Sequence, residues 1–157
     1  MTVEVRHAAR AVVLDPDDRI LLVRWVNEDN GVDTWLTPGG GIEPGEDAET
    51  ALRRELREEA GLESYEAGRT IWTRRHSFPW YGRTIDQRET FVLVRVPTFE
   101  PRPDPFAVDA EGVEEVRWWT LAELEASAAT FAPRNLAALL RDLLEGGPPA
   151  EPRDVGV

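Results

Sequence analysis

The chain has 157 residues, of which 41% are hydrophobic, and this is long enough for one domain with a buried core. Its 30 Asp and Glu against 18 Lys and Arg give a net charge of -12, which argues against a general affinity for long nucleic acids or anionic membranes. There are no cysteines, so disulfides, thiolate metal sites and cysteine nucleophiles are excluded.

The amino-terminal segment carries charged residues and lacks both a long apolar stretch and a small-residue cleavage site. No apolar run approaches the roughly 20 residues of a membrane span. We therefore expect a soluble cytoplasmic protein without a membrane partner.

The first predicted elements are two strands rich in Val, Ile and Leu, from Ala8 to Leu14 and from Ile20 to Val26. Turn residues separate them at 15–18, so the pattern predicts a hairpin. A third short strand, Thr34 to Thr37, ends at Pro38 and leads into three glycines.

The clearest element is a helix from Ala48 to Ala60, which is built of strong helix formers. Asp47 is suited to cap its amino terminus, and Gly61 stands where a residue of left-handed conformation ends many helices. The sequence therefore predicts both ends of this helix.

The rest of the chain alternates further strands with two helices. Strands bracketing an early and a late helix predict an α/β (α+β) fold, in which a mixed sheet packs between helices. We place one domain at residues 1–145 and expect the proline-bearing segment 146–157 to be a flexible tail. The predicted elements are strands at Ser64–Arg75, Glu89–Val96 and Val113–Trp119, an aromatic and basic loop at Ser77–Gln87, and helices at Leu121–Ser127 and Arg134–Glu145.

Three glutamates share the apolar face of the first predicted helix. With about 100° per residue and Leu52 as the origin, Glu59 lies near -20° and Glu55 near -60°. Glu58 lies near -120°, at the margin of that face. Unpaired buried carboxylates are disfavoured, so the arrangement calls for a compensating cation.

Two kinds of cation could compensate these carboxylates. One is a hard divalent ion such as Mg²⁺, which prefers oxygen ligands. A zinc site is disfavoured because the chain has no Cys and only two His. The alternative is pairing with arginines along an ordinary charged helix.

A fixed spacing of glycine, acidic and basic residues surrounds this helix. Gly40 is followed after five residues by Glu46, after seven more by Arg54-Glu55-Leu56, and then, each after one residue, by Glu58-Glu59 and Gly61-Leu62. This spacing resembles the complete box of the Nudix hydrolase superfamily from Gly40 to Leu62. The resemblance implies a Nudix-type α/β/α sandwich and a pyrophosphohydrolase activity that depends on Mg²⁺, with Mn²⁺ as a substitute.

The resemblance also implies roles for individual residues. The carbonyl of Gly40 and the carboxylates of Glu55, Glu58 and Glu59 would bind the metal, and these glutamates would also orient or activate water. Glu46 and Arg54 would form a structural ion pair. The general base stays open, and its candidates are Glu58, Glu89, Glu114 and Glu115.

The implied substrate contains a nucleoside diphosphate linked to another moiety. Nucleoside triphosphates, ADP-ribose or nucleotide sugars, dinucleoside polyphosphates and RNA ends all stay open, but the acidic balance favours a small nucleotide over long RNA. A homodimer is compatible with the family. The candidate substrate-binding residues, chosen for stacking or charge, are Arg24, Trp35, Arg75, Trp80, Tyr81, Arg88 and Glu89.

Two functions other than hydrolysis are alternatives for this sequence. The diphosphate isomerases of this fold use a cysteine, which this chain lacks. A nucleotide-sensing module that has lost turnover is the remaining alternative, although such modules typically lack box acids that are all present here.

Overall fold

A computed structural model describes residues 2–27, 31–106 and 112–157. A mixed sheet packs between one helix on one face and two helices on the other, which confirms the predicted α+β sandwich. None of the helices in these residues is long and apolar enough to cross a membrane. The strands are β1 (Val3–Leu14), β2 (Ile20–Asn27), β3 (Val32–Leu36), β4 (Gly39–Gly41), β5 (Glu66–Trp80), β6 (Arg83–Arg95), β7 (Val113–Trp119), β8 (Phe131–Ala132) and β9 (Arg153–Asp154), and the helices are α1 (Ala48–Ala60), α2 (Leu121–Ala126) and α3 (Leu136–Gly146).

Strand β1 contributes to the core on both faces of the sheet. Val12 and Leu14 belong to the cluster that contains the leucines of α3, whereas Ala11 and Val13 belong to the cluster that contains those of α1. Neighbouring residues of a strand point to opposite faces, so an uninterrupted apolar run is buried on both faces of the sheet.

Helix α1 begins and ends at the predicted residues. Asp47 accepts a hydrogen bond from the Thr50 N–H at 2.7 Å, and Gly61 takes the left-handed conformation with φ of 72°. Leu52 and Leu56 are buried against the sheet. The local signals in the sequence therefore fix the position of this helix.

The predicted hairpin between the first two strands is present, but its antiparallel ladder is short. The turn after Leu14 is present, but the ladder between β1 and β2 is confined to Leu14 and Ile20. Strand β1 runs parallel to β6 over its whole length, and β4 pairs with it at Ala8 to Arg10. The glycine strand thus occupies the edge of β1 that a long hairpin would have used.

The predicted loop at Ser77–Gln87 is wrong. Strands β5 and β6 form one long antiparallel hairpin, which turns at Tyr81 and Gly82 with positive φ angles of 46° and 75°. Its aromatic and branched side chains form cross-strand pairs, such as Phe78 with Ile85, and pairs of this kind stabilise a sheet.

The end of the chain is packed against the sheet. Strand β9 pairs with β5, and the Val155 N–H donates to the Thr73 carbonyl at 2.9 Å. The Val155 side chain is buried in the core. The segment 146–157, which the sequence predicts to be a flexible tail, thus contains a short strand and one buried apolar side chain.

Candidate active site

A cavity of about 640 Å³ opens beside β4, where the carboxyl-terminal half of α1 meets strands β1, β2, β3, β5 and β6. Small-molecule sites typically enclose about 300 to 1,000 Å³. The cavity combines acidic, basic and aromatic side chains, which are described in turn.

Two box glutamates lie in the cavity wall beside the glycine strand. Glu55 and Glu59 stand one helical turn apart on α1 and are only 4% and 3% exposed. The Gly39 N–H donates to Glu59 Oε1 at 2.8 Å. A Cβ at Gly40 would lie 2.5 Å from Glu55 Oε1, so the close approach of this carboxylate requires glycine there.

Glu58 is placed differently from its two neighbours. Its side chain is 22% exposed and is not among those that line the cavity, in keeping with its marginal angle on the helix. Burial, and then the charge of Glu55, raise the pKa of Glu58. The structure therefore brings two of the three predicted glutamates into the cavity wall.

Arg54 connects the helix to the segment that precedes it. Its Nε and Nη2 each donate to the Glu46 carboxylate at 2.9 Å, Nη2 also donates to the Gly41 carbonyl at 3.2 Å, and Nη1 donates to Glu55 Oε1 at 2.9 Å. The hydrogen bonds from Arg54 lower the pKa of Glu46 to about 2. The sequence-predicted pair thus holds the glycine strand and one cavity carboxylate in fixed positions.

A third cavity carboxylate, Glu89, is held by arginines. Its side chain is fully buried and forms ion pairs with Arg10 and Arg74. Burial alone would raise the pKa of Glu89, but the two guanidinium groups outweigh it and hold the pKa at about 2. His76 lies next to this cluster, and burial lowers the pKa of its imidazole.

Aromatic side chains form another part of the wall. Trp25, Phe78 and Trp80 line the cavity, and Trp80 is 48% exposed. Tyr81 contacts the Trp80 ring edge to face but is 86% exposed at the turn and does not line the cavity. Of these two candidate stacking residues, only Trp80 faces the cavity.

Three of the predicted site residues lie around a second, shallower hollow. Arg24 pairs there with Asp33, and Glu115 stands opposite Arg24 on β7. Trp35 is buried in the core against Trp119, with ring centroids 5.0 Å apart. These residues occupy strand positions that do not face the main cavity.

Arg75 and Arg88 also lie outside the cavity. Both pair with Asp86 on the outward face of the β5–β6 hairpin, whereas Arg74 and Glu89, one position away, face inward. The alternation of side chains along a strand separates the two sets.

Sequence reasoning missed several cavity residues. Arg6, Arg10 and Gln87 line the wall, but the sequence predicts that the first strand begins only at Ala8. A two-residue period in the sequence could have indicated these residues. It places Arg6 and Arg10 on one face of their strand, and Gln87 and Glu89 on one face of another strand.

The fold and the cavity define a class of α+β sandwich protein in which a cavity lined by glutamates, arginines and aromatic residues lies at a glycine strand. A model of the NUDIX domain matches residues 5–141, so the chain belongs to this family.

The chain is similar to curated relatives over short segments. It is 44% identical over 59 residues to the nucleoside triphosphatase NudI of Escherichia coli O1:K1, which covers 36% of this chain and 42% of the relative. It is 54% identical over 39 residues to NudI of Salmonella arizonae, covering 25% and 28%. These matches thus span less than half the length of the curated relatives.

The likeness to solved structures extends over almost the whole chain. The MutT NUDIX hydrolase from Burkholderia pseudomallei has a TM-score of 0.66 at 24% identity and covers 88% of this chain and 97% of its own. An ADP-ribose pyrophosphatase from Streptococcus suis has a TM-score of 0.60 at 22% identity, covering 95% and 98%. At these identities the likeness shows a shared fold.

Proposed function

We propose that this chain is a metal-dependent pyrophosphohydrolase that cleaves a phosphoanhydride bond in a small nucleotide. The observation that carries the proposal is the pair of buried carboxylates, Glu55 and Glu59, beside Gly40 in the wall of the cavity. Family membership and the likeness to NudI, which is named a nucleoside triphosphatase, support the same activity.

The oxygen donors in the cavity wall fit Mg²⁺ better than a metal whose ligands must all come from the protein. Within residues 2–27, 31–106 and 112–157, no group of three or more Asp, Glu and His side chains is arranged to hold an ion. Mg²⁺ commonly takes one or two carboxylates and leaves its other positions to water and substrate phosphates. Glu55, Glu59 and the Gly40 carbonyl would supply such a set, whereas the Glu58 side chain does not line the cavity.

The chain's own residues position these donors. The Gly39 N–H fixes one oxygen of Glu59, and Arg54 fixes one oxygen of Glu55. When bound, a divalent ion neutralises diphosphate charge and lowers the pKa of a bound water. Preorganised donors of this kind do not have to reorganise during the reaction.

The general base is best sought among the box glutamates. Glu89 is a weak candidate because Arg10 and Arg74 hold its pKa at about 2, whereas an effective base has a pKa near the working pH. Glu115 lies at the second hollow. We therefore place the water-activating role on Glu58 or on the two cavity glutamates.

The size and lining of the cavity favour a small nucleotide. About 640 Å³ suits a nucleotide rather than a folded RNA, and Trp25, Phe78 and Trp80 offer flat surfaces for a base. Nucleoside triphosphates, ADP-ribose-type compounds and dinucleoside polyphosphates all contain the bond that the site would cut.

The test is a panel of these nucleotides incubated with Mg²⁺ or Mn²⁺, with products identified by mass spectrometry. We expect turnover that EDTA abolishes, and a loss of more than about 100-fold in kcat for Glu55→Gln or Glu59→Gln, which is about 2.7 kcal/mol of barrier. Glu49→Gln is the matched control, because Glu49 lies on the same helix but is exposed. Nucleotide binding without turnover in the wild-type protein would contradict the proposal and identify a sensing module instead.

A further inference from the structure

Three arginines line the cavity, and two of them are already engaged. Arg10 and Arg74 both form ion pairs with the buried Glu89. Arg10 also donates from Nη1 to the carbonyls of Thr37 and Gly39, at 3.2 and 3.3 Å. These two guanidinium groups hold the cavity wall together and are not available as the principal partner of an incoming anion.

Arg6 is placed differently. It lines the cavity, and within the described parts of the chain its side chain has no ion pair and no hydrogen bond. In a chain with 30 acidic residues against 18 basic ones, pairing with a carboxylate would be the ordinary outcome for an arginine. Arg6 is an exposed residue at the mouth of the cavity, so water satisfies its guanidinium in the free protein and an anionic ligand can replace that water.

A glycine makes room for this guanidinium in the cavity wall. A Cβ at Gly41 would be 2.5 Å from Nη2, 2.8 Å from Nε and 3.0 Å from Cζ of Arg6, so the planar group packs directly over the glycine. The preceding residue, Gly40, makes room for the carboxylate of Glu55 in the same way. Two adjacent glycines thus leave room for a cation and an anion at neighbouring points of one wall.

We infer that Arg6 binds a phosphate group of the substrate, next to the carboxylates of Glu55 and Glu59. A guanidinium presents a planar fork of donors that matches two phosphate oxygens. This inference rests on the proposed function, because it assigns the substrate's phosphate chain to the glycine strand. It also gives an acidic protein a local positive group for an anionic ligand.

The test measures binding of methylenediphosphonate, which cannot be hydrolysed, to the full chain in Mg²⁺ by titration calorimetry. We expect Arg6→Gln to weaken binding by about tenfold to a hundredfold, because the variant loses charge-assisted hydrogen bonds to the phosphonate oxygens. Arg6→Lys should recover part of the affinity because it keeps the charge but not the fork. Gly41→Ala should weaken binding too, because it displaces the guanidinium, whereas Arg95→Gln on the exposed surface of β6 should not.

Kinetics with whichever nucleotide the wild-type protein hydrolyses provide a second readout. Arg6→Gln should raise KM more than it lowers kcat if the contact is made equally in ground and transition states. Unchanged diphosphonate affinity in Arg6→Gln overturns the role of Arg6 while leaving the hydrolase proposal intact. A wild-type protein that binds diphosphonate through Arg6 but hydrolyses no nucleotide sustains this inference and overturns the proposed function.

Discussion

The two faces of the β5–β6 hairpin carry similar groups of charged residues in different surroundings. On the inward face Glu89 has no exposed side-chain surface, and its partners Arg10 and Arg74 are 14% and 12% exposed. On the outward face Asp86 is only 6% exposed, but its partners Arg75 and Arg88 are 65% and 46% exposed.

This difference in exposure changes how much each group of ion pairs contributes to stability. Exposed ion pairs are screened by water and salt and contribute little to stability. A buried pair contributes most visibly when one partner is removed, because the other is left as an uncompensated buried charge. The inward cluster should therefore be essential to the cavity wall, and the outward cluster should be dispensable.

The largest expected effect is that of Glu89→Gln. The variant leaves Arg10 and Arg74 without their carboxylate, and we expect a loss of roughly 3 to 5 kcal/mol in the free energy of unfolding, measured by urea denaturation. Asp86→Asn is the matched control, and its loss should be smaller, because Asp86 is buried but the guanidinium groups that it would leave unpaired are exposed to water. Equal losses in the two variants would remove the distinction between the faces.

The acid dependence of stability provides the next test. The pKa of Glu89 is about 2 in the folded protein, below its ordinary value of 4.5, so its contribution is complete above about 4.5 and is lost as the pH falls toward 2. The difference in unfolding free energy between wild type and Glu89→Gln should therefore shrink across that interval. A difference that stays constant from pH 6 to about 2 would mean that Glu89 is not the titrating group.

At the tip of the hairpin, two neighbouring aromatic residues differ in their expected effect on substrate binding. Trp80 lines the cavity, whereas Tyr81 projects into solvent and reaches the cavity only through its contact with Trp80. Stacking of a base on an aromatic ring is worth about 1 to 3 kcal/mol, so Trp80→Ala should raise KM by at least about fivefold. Tyr81→Ala should raise it by less, and steady-state kinetics on both variants compares them directly.

The contrast between the faces also shows what the sequence could predict. Helix α1 was predictable to the residue because its signals are local: the Asp47 cap, the glycine at 61, and an apolar stripe that turns Glu55 and Glu59 inward. Family resemblance added the pairing of Glu46 with Arg54, which the structure contains.

The cavity wall was harder to predict because its residues come together through long-range pairing. The parallel ladder of β1 with β6 brings Arg10 beside Glu89, although 79 positions separate them in the chain. Charged and aromatic residues at 74–89 are typical of a loop, and only their two-residue alternation indicates a hairpin with two unlike faces. A shift of one position in such a strand exchanges Arg74 for Arg75, so the choice of substrate-binding arginines depended on a register that the sequence does not reveal.

The smallest expected effect is that of Arg88→Gln. Its guanidinium lies on the outward face with Asp86, which retains Arg75 as a partner, so neither the cavity nor the fold loses a required contact. Surface substitutions of this kind usually change free energies by less than about 0.5 kcal/mol, so KM should stay within roughly a factor of two. Steady-state kinetics should compare Arg88→Gln with Arg6→Gln. Both variants remove one positive charge from the same acidic protein, so a difference in KM between them reports the position of the arginine. If Arg88→Gln raised KM as much as Arg6→Gln, net charge rather than position in the cavity would govern substrate binding.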